Sequence, residues 1–280
     1  MKRLIVNADD FGRSPGVNRG IVEAHERGIV TSTTLMVNMP FADEALTLAK
    51  GHPELGVGIH LVFTAGCPIL PPERVSTLVD QRGRFLDQRT LASRLGSLDL
   101  TQLRAELAAQ IERFLRRGGC PTHLDCHHFL HVHPDLFAVL VELADEYSLP
   151  MRLPFGRGFE ATAQREARRF GMTPDALLEM GWRDIELVEA RSIPHPDRFI
   201  GEFFGDGASV ENLLRILAGL EEGVTELMTH PGYADEELLR TSSYARERER
   251  ELAALTDPRV QESIEGLGIE LVNFSVLKRR

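Results

Sequence analysis

The 280-residue sequence is poor in several features, and each scarcity narrows what the chain can be. Its three cysteines, Cys67, Cys120 and Cys126, are odd in number and lack zinc-finger spacing. They do not suggest a disulfide framework and suit a reducing compartment, so the chain reads as cytoplasmic. No uncharged apolar run approaches the roughly 20 residues of a membrane span, and the apolar stretch near Met1 is too short for a signal peptide. Lys and Arg number 32 against 42 Asp and Glu, giving a net charge of −10 with no basic block. Nucleic acid and anionic membranes are therefore poor partners. No G-x-G-x-x-G follows the first apolar run, so the dinucleotide-binding signature is missing. Internal repeats and low-complexity segments are also absent.

What is present is an ordinary globular balance, 42% hydrophobic and 26% charged, in a length that one α/β barrel commonly fills. Strand-like runs occur at Leu4–Ala8, Thr31–Asn38, Val57–Phe63, Thr122–Cys126, Met151–Leu153, Phe199–Phe204, Thr225–Thr229 and Ile269–Phe274. Amphipathic stretches alternate with them at Val17–Arg27, Ala42–Lys50, Gln102–Arg117, Asp135–Tyr147, Val210–Glu221 and Ala245–Leu255. Eight strands alternating with helices predict a parallel α/β architecture, a (β/α) barrel, with an open doubly wound sheet as the alternative. The stretches 64–100 and about 155–197 read as long rim loops, which leaves one domain over 1–280. The charge run Arg246–Glu251 reads as a solvated helix face.

The ionisable residues fall at strand ends. Asp9 and Asp10 end the first run, His60 lies in the third, Asp125 and His127 end the fourth, Arg152 lies in the fifth and His230 ends the seventh. In a parallel barrel these positions share the rim where active sites are built. Five of the ten histidines crowd into His123–His133, too dense for filler. Bland readings stand beside this. Asp9-Asp10 fits a turn and helix cap, His60 a core histidine, and Arg152 a surface salt bridge, a clamp on Asp9 or a substrate contact. Asp10, His60 and His127, from three strand ends, make a facial set for one divalent ion, Mg, Zn, Co or Mn. Asp125 and His127 can face one way while Cys126 faces the other and packs. Asp9 and Asp10 cannot both point inward from a regular strand, so the chain must bend there if both act. Phe11, Phe63, Phe129 and Tyr233 lie near the rim and read as sugar-stacking candidates or as packing, and Gly205-Asp206-Gly207 as a rim loop or a plain turn.

The segments Asn-Ala-Asp-Asp-Phe-Gly (7–12), Gly-Ile-Val-Thr-Ser-Thr-Thr (28–34), Gly-Ile-His-Leu (58–61), Thr-His-Leu-Asp-Cys-His-His (122–128) and Thr-His-Pro-Gly-Tyr (229–233) together resemble the YdjC-like carbohydrate deacetylases, which include chitooligosaccharide deacetylase. The resemblance implies a (β/α) barrel, often incomplete or distorted, a homodimer, and hydrolysis of the acetamide of an N-acetylated amino sugar of the N-acetylglucosamine type. It carries the metal over to Asp10, His60 and His127, the general base to Asp9, and the general acid, as a protonated imidazole, to His230. Asp125, His128, His131 and Arg152 then read as substrate-binding or ligand-orienting residues. Where the chitooligosaccharide enzymes tend to have Asp-Ser before three histidines, this chain has Asp-Cys-His-His-Phe, which opens the substrate to an N-acetylglucosamine unit on another carrier, such as the lipid-linked sugars of hopanoid synthesis. A barrel phosphoesterase is the rival enzyme, disfavoured because Arg152 is the only evident rim base; a non-catalytic sugar-binding protein is the rival non-enzyme.

Overall fold

Strand β1 (Lys2–Phe11) runs through the middle of a wholly parallel sheet, and Leu4, Ile5, Val6 and Ala8 are fully buried because both faces are covered. One edge of β1 pairs with β6 (Gly223–Thr229) from Lys2 to Ala8. The other edge is shared. Its start pairs with β7 (Glu270–Leu271) and its end with β2 (Ser32–Leu35). The sheet continues from β2 to β3 (Gly56–Leu61) and β4 (Leu124–Cys126), and on the far side from β6 to β5 (Arg198–Ile200), giving the order β4-β3-β2-β1-β6-β5. The computed structural model describes residues 1–155, 159, 163, 164, 167 and 172–277.

The expected barrel is an incomplete one. Met151–Leu153 contributes a single parallel bridge, Leu124 to Met151, and the Met151 N–H bonds to the Pro194 carbonyl at 3.0 Å instead of to β5. Pro150 and Pro154 bracket this run and remove the donors a longer ladder would need. Ile269–Phe274 likewise shortens to the two residues of β7.

Helices α1 (Pro15–Glu26), α2 (Ala42–Lys50), α4 (Leu100–Arg116), α5 (Pro134–Glu146), α7 (Val210–Ala218) and α9 (Glu247–Leu255) follow the amphipathic stretches, and α3 (Gln88–Ala92) lies in the first long loop. Their caps are local chemistry: Ser14 accepts from Val17 N–H ahead of α1, and Asp99 from Thr101 N–H ahead of α4. Neither long loop is as irregular as its composition suggests. In 64–100, Val75, Leu78 and Leu91 are fully buried, and Glu106 of α4 accepts from the N–H groups of Ile69 and Leu70 at 2.8 and 2.9 Å. Within 155–197 runs the 17-residue α6 (Pro174–Ala190), started by the Thr173 cap. Two of its four buried positions, Leu177, Gly181, Asp184 and Val188, carry no apolar side chain, so no helical stripe shows in the sequence. Helices α8 (Glu236–Thr241) and α10 (Pro258–Gly266) follow toward the end of the chain. No described helix is long and apolar enough to cross a membrane.

Candidate active site

The bend that two inward carboxylates require is present. The β1–β2 register shifts between Ala8 and Phe11, and Asp10 takes φ 73°, so Asp9 and Asp10 both turn into the barrel mouth. Only over-determined surroundings keep a non-glycine residue there. Here Arg248 pairs with Asp10 Oδ2 and Asn18 Oδ1 accepts from Gly12 N–H at 2.7 Å.

His60 and Asp125 are register partners on β3 and β4, so their side chains share a face. His60 Nδ1 meets Asp125 Oδ1 at 2.7 Å, and Thr34 Oγ1 donates to Asp125 Oδ2 at 3.1 Å. With Nδ1 committed, His60 directs Nε2 toward Asp10 Oδ1 at 3.4 Å and His127 Nδ1 at 3.3 Å, while His127 Nδ1 is 3.0 Å from the same Asp10 oxygen. All three residues are buried, and Asp10 Oδ1 has no hydrogen-bond partner of acceptable geometry among the described residues. Two nitrogens and an orphaned carboxylate oxygen thus face one point. Ligands at about 2.1 Å from a common ion lie about 3.0 Å apart at right angles and about 3.4 Å apart in a tetrahedron, so the observed separations suit either geometry. The donor set fits a divalent metal, with the carboxylate behind His60 fixing its tautomer. Asp9, His60 and Asp125 also lie close together. Both of those carboxylates are taken by the Arg152 guanidinium, which makes that grouping unsuitable for a cation.

Electrostatics support the same point of convergence. Burial works against a charge on His60, but Asp125, Asp10 and Asp9 outweigh it and push the ring up to about 10. A bound cation would replace that charge with release of the Nε2 proton. Burial also works against ionised Asp10, and Arg248 and His127 overcome it, holding its carboxyl well below the usual range.

Opposite this set stand Asp9 and His230, with His230 Nε2 3.9 Å from Asp9 Oδ2. Arg152 grips Asp9 through both oxygens at 2.7 and 2.8 Å and reaches Glu226 at 2.7 Å, fully inside the protein. Of the readings open for Arg152, the surface salt bridge is excluded by its burial. Burial lowers His230 to about 4 against the pull of Asp9, so at neutral pH the ring is neutral rather than protonated. Asp9, Asp10, His60, His127, His128, His131, Arg152 and His230 border one cavity of about 470 Å³. Asp125 does not. It stands behind His60, where it cannot touch a substrate.

The chain matches the family model described as YdjC-like protein over residues 3–266. It belongs to the YdjC-like family. It is 41% identical to the carbohydrate deacetylase of Thermoanaerobacter pseudethanolicus over 278 residues, covering 99% of this chain and all of that one. It is 41% identical to that of Brevibacillus brevis, covering 98% and 99%. A solved structure from Enterococcus faecalis V583, described as a proposed cellobiose-phosphate cleavage protein, superposes with a TM-score of 0.85 at 35% identity over 99% of both chains.

Several features of this YdjC-like mouth were not legible. The run Arg246–Glu251 is a solvated face only in part: Arg246, Glu249 and Arg250 are exposed, but Arg248 is 3% exposed and Glu251 wholly buried, and these two join Leu252 and Leu255 in one inward stripe of α9. That i, i+3, i+4, i+7 spacing was the available signal. Arg248 reaches Asp10, while Glu251 accepts from His230 N–H at 2.5 Å and from the Tyr244 hydroxyl. Arg13 also borders the cavity; its Nη2 donates to the Thr241 carbonyl at 2.9 Å, and its Nε and Nη1 have no partner among the described residues. The histidine cluster divides. His123 stacks on Phe274 at 3.5 Å, deep in the core, and a side chain at Gly58 would collide with its ring. His128, at φ 65°, meets Thr64 Oγ1 at 2.9 Å, His131 Nδ1 meets the His128 carbonyl at 2.8 Å, and His133 precedes α5. Three of the four aromatic candidates do not border the cavity: Phe11 and Phe63 are fully buried and Tyr233 donates to Glu23 at 2.5 Å, while the Phe129 side chain lies outside the described residues.

Proposed function

We propose that this chain is a metal-dependent hydrolase, a single catalytic domain that removes the N-acetyl group from an N-acetylated amino sugar or oligosaccharide of the N-acetylglucosamine type and releases acetate. The observation that carries this is the convergence of Asp10 Oδ1, His60 Nε2 and His127 Nδ1 beside Asp9 and His230 in one cavity. The carbohydrate deacetylases at 41% identity supply the substrate class.

Asp10, His60 and His127 would hold one divalent ion, Mg or Zn foremost and Co or Mn as alternatives. Bound there, the ion supplies Lewis-acid polarisation of the acetamide carbonyl and a water of lowered pKa. The chain's own residues do the rest. Asp9, kept ionised by Arg152, accepts a proton as water attacks the carbonyl carbon. His230, neutral beforehand, takes up that proton across the 3.9 Å gap and delivers it to the amine nitrogen as the C–N bond breaks. Asp125 orients His60, Arg248 fixes Asp10, and Glu251 anchors the backbone that bears His230. His128 and His131 border the space left for the sugar.

The test is to load the protein with each of several divalent metals, offer N-acetylglucosamine, its oligomers and small acylamide sugars, and measure acetate. Metal-dependent release from one or more is expected. No acetate from any sugar with any metal overturns the reading.

A further inference from the structure

The two carboxylate oxygens of Asp10 have different neighbours. Oδ1, without a hydrogen bond among the described residues, faces His60 Nε2 at 3.4 Å and His127 Nδ1 at 3.0 Å. Oδ2 is taken by Nη2 of Arg248, and both side chains are buried, at 3% and 2% exposure for Arg248 and Asp10. A guanidinium stays charged at any pH the folded protein meets, so this contact does not titrate away. It works against the binding of a second positive charge beside it.

Arg248 is held in place from several directions. Its Nε donates to the Tyr244 carbonyl at 3.0 Å, and its guanidinium carbon lies 5.6 Å from the centroid of the Tyr244 ring. Its stem lies against Gly232, where a Cβ would come within 3.3 Å of the arginine Cδ, and the Gly232 N–H donates to the Arg248 carbonyl at 3.3 Å. Asp10 is fixed as well: at φ 73°, its carbonyl accepts from Arg13 N–H at 3.1 Å. An ion that enters the donor set therefore meets one oxygen of Asp10 and not two. The charges of Asp10 and Arg248 also sum to zero, which leaves such an ion its full double charge.

We propose that Arg248 sets the metal specificity of the site: by withholding Asp10 Oδ2 and cancelling the carboxylate charge, it admits a small divalent ion such as Zn²⁺ or Mg²⁺ and rejects Ca²⁺. This rests on the metal-dependent reading of the cavity and deepens it. Ca²⁺ takes about six to eight oxygen ligands and often grips a carboxylate by both oxygens, so it loses most when Oδ2 is withheld. A smaller ion, held at about 2.1 Å by one oxygen and two imidazoles, does not need the second oxygen. Its binding is weaker for the arginine nearby, and it stays electron-poor, the state in which it polarises a carbonyl most strongly.

The variant Arg248→Gln isolates this role. The glutamine amide nitrogen stands where the arginine Nε does, so the bond to the Tyr244 carbonyl is kept while the contact with Asp10 is lost. Arg248→Lys instead keeps a positive charge near Oδ2. The full chain, stripped of metal by a chelator, is titrated calorimetrically with Zn²⁺ and with Ca²⁺ as wild type and as each variant, with circular dichroism to check folding. Wild type should bind Zn²⁺ far more tightly than Ca²⁺. Arg248→Gln should bind Zn²⁺ about tenfold tighter and Ca²⁺ about a hundredfold tighter, so that the preference for Zn²⁺ falls about tenfold, and Arg248→Lys should restore it. Unchanged affinities, or equal gains for both ions, overturn the proposal. Weaker binding of both ions by Arg248→Gln overturns it too, since Arg248 would then only position Asp10. A crystal structure of Zn²⁺-loaded wild type decides without any variant: Arg248 still on Oδ2 upholds the proposal, and both Asp10 oxygens on the ion overturn it. If wild type binds neither ion, the metal-dependent reading fails separately and Arg248→Gln decides: binding gained by the variant upholds the role of Arg248, and none overturns it.

Discussion

Arg152 donates from Nη1 and Nη2 to the two carboxylate oxygens of Asp9 at 2.8 and 2.7 Å, with both side chains buried. The same guanidinium reaches Asp125 Oδ2 at 2.8 Å and Glu226 Oε1 at 2.7 Å. One cation thus answers three carboxylates that arrive from β1, β4 and β6. Arg152→Met should strand them and cost at least about 3–5 kcal/mol, the usual penalty for breaking a buried ion pair from one side. Arg152→Lys should cost less but still lose the forked contact. Urea unfolding of both variants checks this, and a loss below about 1 kcal/mol for Arg152→Met contradicts it.

Asp125 holds His60 Nδ1 at 2.7 Å without touching the cavity. Asp125→Asn keeps the shape and removes the charge that makes His60 a better donor. Metal affinity, read by calorimetry, should fall about tenfold or more. His60→Ala should abolish tight binding. Equal affinity in Asp125→Asn and wild type would mean that Asp125 serves only Arg152.

Asp9→Asn and His230→Ala are expected to lower kcat by ~10²–10⁴ each while metal binding persists, because neither side chain belongs to the donor set. The double variant should lose little more than the worse single one, since a proton relay fails wherever it is cut. Near-normal turnover in either single variant contradicts the roles assigned.

Asp184, on α6, is buried at 2% exposure, and its Oδ2 has no partner among the described residues. Burial pushes its carboxyl up to about 8. An acid whose folded pKa is raised is protonated in the folded state while the unfolded chain ionises. Its contribution to stability is therefore full below about pH 4 and is lost as pH rises toward 8. Asp184→Asn should remove that slope and stabilise the protein at pH 8, on the order of 1–3 kcal/mol. Thermal unfolding across pH 4 to 9 checks the sign. A variant less stable than wild type at pH 8 contradicts it.

By itself the sequence determined the alternation of strands and helices, the strand ends that carry Asp9, Asp10, His60, His127 and His230, and the need for a bend at Asp9-Asp10. These are local: period, caps and the position of a polar residue at the end of an apolar run are written within a few neighbouring residues. The resemblance implied an incomplete barrel, but the strand pattern alone did not show where closure fails, because strand pairing depends on what lies across the sheet, and Met151–Leu153 looks like a strand until its partner fails to appear. Arg248 and Glu251 were misread for the opposite reason. A helix face is solvated or buried only in relation to what it packs on, and α9 packs its charged face over Asp10 and His230. The tertiary structure likewise separates the histidines, placing His127 beside Asp10 and His60 and stacking His123 on Phe274. Residue type and spacing name the groups able to bind a cation or move a proton. Only the fold, by bringing β1, β3 and β4 within bonding distance, determines which of them meet.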